Sequence, residues 1–130
     1  MKEIKEKFIN PDIEFRSAPF WSWNDRLSID ELKRQVEDMK EHGIGGFFMH
    51  SRVGLETEYL SREWMECIKE TVKKAKELGM KAWLYDEDRW PSGFAGGLVP
   101  KKIGDEGREK KLIYEIISSG EFTPKGKELA

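Results

Sequence analysis

Three acids in succession, Asp86-Glu87-Asp88, directly follow the apolar run Ala82-Trp83-Leu84-Tyr85. Neighbouring carboxylates raise one another's pKa, which suits general acid work, or they ligate a cation. Their spacing is not that of an EF-hand loop. Side chains alternate along a strand, so Asp86 and Asp88 are expected on one face and Glu87 on the other. Taken alone, the triplet also fits a solvated strand end. A second polar group, His50-Ser51-Arg52, follows the apolar stretch 44–49. His50 reads as a packed, hydrogen-bonded histidine or, with Arg52 beside it, as a ligand contact. A third group, Trp21, Trp23 and Asn24, closes an aromatic segment, and Trp90 lies just beyond the acids. Tryptophan rings stack on the apolar C–H faces of sugars, whose hydroxyls seek carboxylates and amides. Trp with Asp, Glu, Asn and His is therefore the composition of a carbohydrate site. Trp21, Trp23, Trp83 and Trp90 also fit a core.

These groups need elements to position them. Residues 20–24 are short, aromatic and bounded by Pro19 and Asp25, the signature of a strand. Ser28-Ile29-Asp30-Glu31 has the form of a capping box, and Ile29, Leu32, Val36 and Met39 form a helical stripe closed by Gly43. A helix over 29–42 follows. Residues 44–50 are nearly all apolar, as in a strand covered on both faces within a parallel sheet. Ser61 opens a second helix with Glu63 in its first turn. Trp64, Ile68, Val72, Ala75 and Leu78 mark its buried face, and Gly79 closes it. Leu32, Val36, Ile68 and Val72 are the expected helical core. Residues 81–86 form a third strand. The order β-α-β-α-β, with short connections, predicts an α/β fold with parallel strands and both helices on one face. In such sheets ligands meet the carboxyl ends of the strands. All three polar groups lie there, whereas the opposite joints carry only Gly-Ile-Gly and Gly-Met-Lys.

Several features read as structural. His42 sits at a helix C-terminus, where its charge complements the dipole. Cys67 lies one turn beyond Trp64 and reads as a small core residue. Ala95-Gly96-Gly97 lacks both the P-loop ending and the dinucleotide-fold glycine spacing. Residues 1–17 read as a charged lead-in anchored by Phe8, Ile13 and Phe15 and punctuated by Pro11 and Pro19. Residues 18–104 form the folded unit. Residues 105–130 form a tail in which 111–117 fits a strand by its β-branched content or a helix by the stripe Leu112, Ile113, Ile116 and Ile117, before a loose end.

Composition narrows the function. The chain has 130 residues, 38% hydrophobic and 37% charged, with five Trp, seven Phe and three Tyr, enough aromatic material for a core. No apolar run approaches the ~18 residues of a membrane span. Lys and Arg total 23 against 25 Asp and Glu. A net charge of −2 recruits neither nucleic acid nor an anionic membrane. The single cysteine rules out an internal disulfide. The charged N-terminus has no apolar h-region, so a cytoplasmic location is expected. No cofactor or metal is expected.

The order of motifs carries a resemblance. It begins with Arg16-x-x-Pro19-Phe20-Trp21-Ser22-Trp23-Asn24, Leu27-Ser28-x-x-Glu31-Leu32-x-x-Gln35 and Gly43-Ile44-Gly45-Gly46. It continues through Gly54-Leu55-x-x-x-Tyr59-Leu60-Ser61-x-x-Trp64 and Ala75-Lys76-x-Leu78-Gly79-Met80. Its strongest part is Trp83-Leu84-Tyr85-Asp86-Glu87-x-x-Trp90-Pro91-Ser92-Gly93-x-Ala95-Gly96-Gly97. Over roughly residues 15–100 the chain resembles bacterial glycoside hydrolases related to the family 106 α-L-rhamnosidases. The resemblance implies the N-terminal part of a (β/α)8 barrel, whose complete form usually needs ~250 residues. It implies a glycosidase acting through an oxocarbenium-like transition state. It makes Glu87 and Asp86 the candidate catalytic carboxylates, and His50, Arg52, Trp23, Asn24, Tyr85 and Trp90 candidate substrate contacts. A non-catalytic carbohydrate-binding or assembly module, or an inactive remnant, is the alternative. Two open sheet edges further imply self-association or pairing with a complementary barrel fragment.

Overall fold

The computed structural model describes residues 2–88, 92–107, 110–112, 114 and 116. A short helix α1 (Lys2–Ile9) and a 3-10 turn (Ile13–Phe15) lead into β1 (Phe20–Trp23). There follow α2 (Ile29–Glu41), β2 (Gly46–Ser51), α3 (Arg62–Glu77) and β3 (Lys81–Asp88). A 3-10 segment (Ser92–Gly97) then enters α4 (Leu98–Ile103). The three strands form one parallel sheet in the order β1-β2-β3. The fold is thus mixed α/β with parallel strands, as the alternating pattern predicts.

One face of the sheet is the core. Trp23, Phe47 and Met49 are buried there with Leu32 and Val36 of α2 and with Cys67 and Ala75 of α3. Trp21 and Ala82 add partly buried surface to the same cluster. The α3 stripe differs from expectation by a fraction of a turn. Trp64, Cys67, Thr71 and Ala75 are buried, at spacings of three and four, whereas Val72 is 42% exposed and Ile68 only half-buried. One position on a helix is a rotation of ~100°, enough to carry Val72 past the contact face.

The two helices end alike. Gly43, at φ 80°, donates its N–H to Lys40 while Ile44 donates to Met39. Gly79, at φ 66°, donates to Lys76 while Met80 donates to Ala75. Both are Schellman motifs, in which a left-handed glycine lets the last carbonyls find donors. Each strand starts a residue or two later, so the motif sets where the strand begins. The helix starts differ. Ser61 accepts from the Trp64 N–H as expected, but the Ser28 side chain makes no capping bond. Glu31, its partner in the expected box, is held instead by Arg34 and Gln35, which lower its carboxyl to about 2.

Of the three hydrophobic anchors expected before β1, only Ile13 is half-buried. Phe8 and Phe15 are 86% and 79% exposed. A cation does the anchoring: Arg16 donates to the carbonyls of Pro11 and Gly43 and to the Asn10 side chain. Gly45 makes room for it, since a Cβ there would lie 2.6 Å from the Ile13 carbonyl oxygen and 2.7 Å from the Arg16 Cβ. Residues 110–112, Tyr114 and Ile116 carry no regular structure, and the remainder of the expected strand at 111–117 lies outside the described residues.

Candidate functional site

Strand alternation sorts the rim residues into two sets. Trp21 and Trp23 face the helices, so Phe20 faces away. Phe47, Met49 and Ser51 face the helices, so Phe48 and His50 face away. On β3, Trp83 and Tyr85 join the helix-free face. The Trp83 ring stacks on Phe48 at 4.8 Å between centroids, 14° from parallel. Gly46 permits this, because a Cβ there would meet the Trp83 ring at 2.8 Å and the Lys81 carbonyl oxygen at 2.5 Å.

Beyond Trp83 the pairing slips. Met49 opposes Leu84 but Ser51 opposes Asp88, so two steps on β2 span four on β3. The extra residues bulge β3 and re-aim its carboxyl end, a device common beside functional sites. Glu87 is thereby brought to the His50 ring, with Oε2 3.9 Å from Nε2. That gap exceeds a hydrogen bond. His50 is 1% exposed, and among the described residues neither ring nitrogen has a hydrogen-bond partner. The ring is wedged between two aromatics, 4.4 Å from Phe20 and 4.9 Å from Tyr85, which meet edge-on at 5.1 Å. Burial pushes the His50 pKa down. Arg52 adds to this, and Glu87 and Asp88 oppose it. A neutral imidazole carries one N–H, and the nearby carboxylate favours placing it on Nε2.

The helix-side half of the rim is built differently. The Trp64 indole donates to the Ser51 hydroxyl at 2.9 Å in a buried bond. Tyr59 packs edge-on against Trp64 at 5.1 Å and donates its hydroxyl to the Asp86 carbonyl at 3.3 Å. Burial, with Asp88 and Asp86 nearby, raises the Tyr59 pKa. Asp88 is 5% exposed beneath Gly96, where a Cβ would lie 2.7 Å from Asp88 Oδ2 and 3.2 Å from Tyr59. Gly96 itself sits at φ 63°. The glycine loop after β3 therefore closes over the strand end rather than cradling a phosphate.

Of the residues expected at the site, the structure brings together His50, Glu87 and Tyr85. Trp23 takes another place: at 2% exposure it is a core residue on the helix side, because strand parity turns it away from His50. Asp86 is exposed, and its contact with Tyr59 runs through its backbone. Arg52 is exposed just past β2, and its backbone N–H donates to the Trp23 carbonyl. Asn24 is exposed one residue beyond β1, where its backbone carbonyl lies against Gly54. Trp90 lies outside the described residues. Phe20 was not among the expected site residues. Its position next to Trp21, opposite in parity to the buried tryptophans, is the signal that marks it. Among the described residues no three His, Cys, Asp or Glu side chains converge as a metal ion would require. No described helix is long and apolar enough to cross a membrane. Neither a known protein family nor a curated protein matches this sequence.

Proposed function

We propose that this chain is a carbohydrate-handling part of a glycoside hydrolase-like (β/α) barrel, related to the α-L-rhamnosidases of family 106. The observation that carries the reading is the helix-free face at the carboxyl end of the sheet. There a buried histidine without hydrogen-bond partners among the described residues, a carboxylate and two partly exposed aromatics meet. Parallel strands with helices on one face are what the first units of a (β/α)8 barrel supply, and barrel enzymes keep their chemistry at this rim. In this reading Phe20, Phe48, Trp83 and Tyr85 line the barrel interior. Glu87 is the carboxylate that meets the sugar, stabilising positive charge as the glycosidic bond breaks. His50 and Tyr85 contact substrate, and Arg52 and Asn24 border it. No cofactor is called for, and the cytoplasm is the proposed location.

A second reading has its own support. Glycosidases flank the scissile bond with two carboxyl groups. Among the described residues only Glu87 reaches the His50 ring, while Asp86 is exposed and Asp88 is buried under Gly96. One carboxylate suffices for a binding or assembly module. The test is turnover of a panel of 4-nitrophenyl glycosides, led by the α-L-rhamnoside, beside tryptophan fluorescence titration with the free sugars. Turnover that falls at least ~10²-fold in Glu87→Gln supports the hydrolase. Binding without turnover supports the module. The absence of both removes the carbohydrate reading. The same proposal covers the open edges of β1 and β3 with a second copy or a complementary barrel fragment. A strictly monomeric species by sedimentation over a wide concentration range would remove that part.

A further inference from the structure

His50 and Glu87 form an unfinished pair. The imidazole is buried, and among the described residues neither ring nitrogen has a hydrogen-bond partner. Buried polar groups are nearly always hydrogen-bonded. Both nitrogens also lie out of reach of solvent, so water does not satisfy them. The ring is held between Phe20 at 4.4 Å and Tyr85 at 4.9 Å, which keeps it from swinging toward a partner. Glu87 Oε2 stands 3.9 Å from Nε2, about 1 Å beyond a hydrogen bond. The Glu87 side chain is 16% exposed against 2% for His50, so the carboxylate is the member of the pair able to move. Three charged side chains act on the ring: Arg52 from just past β2, and Glu87 and Asp88 from β3. Tyr85 of β3 adds a phenol, and β1 brings the uncharged Phe20 ring. A neutral imidazole attracts the carboxylate weakly across this gap. An imidazolium attracts it strongly, because a hydrogen bond between two ionised groups is shorter and roughly twice as strong as a neutral one.

We propose that His50 and Glu87 are a proton-operated latch between β2 and the slipped end of β3, open while the imidazole is neutral and closed into a direct Nε2–H to Oε2 ion pair once it is protonated. The proton comes from solvent and adds at Nδ1, because the neutral ring carries its N–H on Nε2, toward the carboxylate. The positive charge is shared over the ring, and it draws Glu87 across the gap. Burial and Arg52 oppose the uptake, which puts closure below the ordinary histidine range, while Glu87 and Asp88 favour it. Closure ties the carboxyl end of β3 to β2 where their register slips. It also decides whether the Glu87 carboxylate is engaged by a cation or available to something else at the rim. The latch goes beyond the carbohydrate reading and does not depend on it.

The chain holds two histidines, so its imidazole spectrum is simple, and a His42→Gln variant assigns the signals. The full chain, without any sugar, is titrated from about pH 8 to about pH 5 while its imidazole and side-chain carboxyl resonances are followed by NMR. Far-ultraviolet circular dichroism over the same range reports the fold. The expected result is that His50 takes its proton below ~6.5 with the fold intact. At that same midpoint the His50 Nε2–H proton moves to low field and the Glu87 carboxyl carbon shifts. In Glu87→Gln the His50 midpoint falls by about 1 pH unit or more, a roughly 10-fold loss of proton affinity, because the opposite charge is gone. A midpoint that Glu87→Gln leaves in place refutes the latch. So does an Nε2–H proton or a Glu87 carboxyl carbon that stays still while His50 titrates, and so does a chain that unfolds before His50 is protonated. The resonances of the unmodified chain decide the matter even where a variant does not fold. No sugar is present, so the carbohydrate reading stands or falls separately.

Discussion

The two halves of the rim use the same strand ends for opposite ends. On the helix side the polar groups are tied off: Trp64 to Ser51, Tyr59 to the Asp86 backbone, and Asp88 roofed by Gly96. On the opposite side His50 has no hydrogen-bond partner among the described residues at either nitrogen, and Phe20, Trp83 and Tyr85 are 47%, 40% and 37% exposed. The contrast is not total, since Trp23 Nε1 and Thr71 Oγ1 within the helix-side core also lack partners. Each of those is one group within an otherwise packed side chain. His50 is the case where a whole functional group waits. Packing is concentrated on one side of the sheet, and among the described residues the one buried side chain with two unpartnered polar atoms lies on the other.

The largest test of this contrast is a pair of truncations. Trp64→Ala should cost about 3–5 kcal/mol, since the side chain is fully buried. Phe20→Ala should cost about 1 kcal/mol or less, because nearly half of that residue is already in water. Urea unfolding of both variants measures the difference, and equal costs would erase the distinction between the halves. Next in size is Gly46→Ala. The added methyl meets the Lys81 backbone and the Trp83 ring, so a loss of about 1–3 kcal/mol is expected. Loss of the Trp83–Phe48 stacking should show in near-ultraviolet circular dichroism.

His50→Phe should move stability the other way. Replacing a buried imidazole that lacks partners with a ring of similar shape removes a desolvation cost of about 1–3 kcal/mol. The variant should melt higher at neutral pH while losing any sugar affinity. A lower Tm would mean that His50 is satisfied in a way the rim geometry does not reveal. The pH dependence follows from the depressed pKa. The folded state resists protonating His50, whereas the unfolded chain takes the proton near its ordinary value of ~6.5. Stability is therefore full above that value and falls as the pH drops below it toward the lower folded pKa. Melting curves between pH 7 and about 5 should show this decline, which His50→Phe removes. The groups acting on the ring there are Arg52, Glu87 and Asp88.

The smallest effect separates two serines. Ser61→Ala should cost about 1 kcal/mol, because its hydroxyl oxygen accepts from the Trp64 N–H. Ser28→Ala should be close to neutral, because its hydroxyl caps nothing. Both helix starts have the same letter in the same place, and thermal melts distinguish them.

Those serines show where sequence reading stops. Strand order, parallel pairing and both helices follow from period and punctuation, because apolar spacing and terminal glycines act locally. The Ser61 cap follows for the same reason. The Ser28 box fails because Glu31 has a better offer from Arg34 and Gln35 on its own helix, a competition that spacing does not rank. Gathering of polar residues at one rim is legible. Which of them meet is not, because that depends on parity. Trp23 and His50 stand at neighbouring strand ends yet face opposite sides. The bulge in β3 adds two residues, so it keeps parity but shifts the register against β2. The alternation rule sets Glu87 apart from Asp86 and Asp88, but only the slipped register shows that Glu87 is the one at His50.

The paired Schellman motifs at the opposite end carry a consequence for how this chain can change over generations. Each motif delivers the chain to its strand with a set phase. Deleting one residue between Gly43 and Gly46 would turn β2 over, putting Phe47 and Met49 outside and His50 into the core. The same deletion within 52–60, after β2 has ended, leaves every strand facing as before. Length variation should therefore be tolerated at the carboxyl end of the sheet and purged at the end where it meets the helix termini. The molecule's room for new specificity lies at the rim where Arg52 and Asn24 stand.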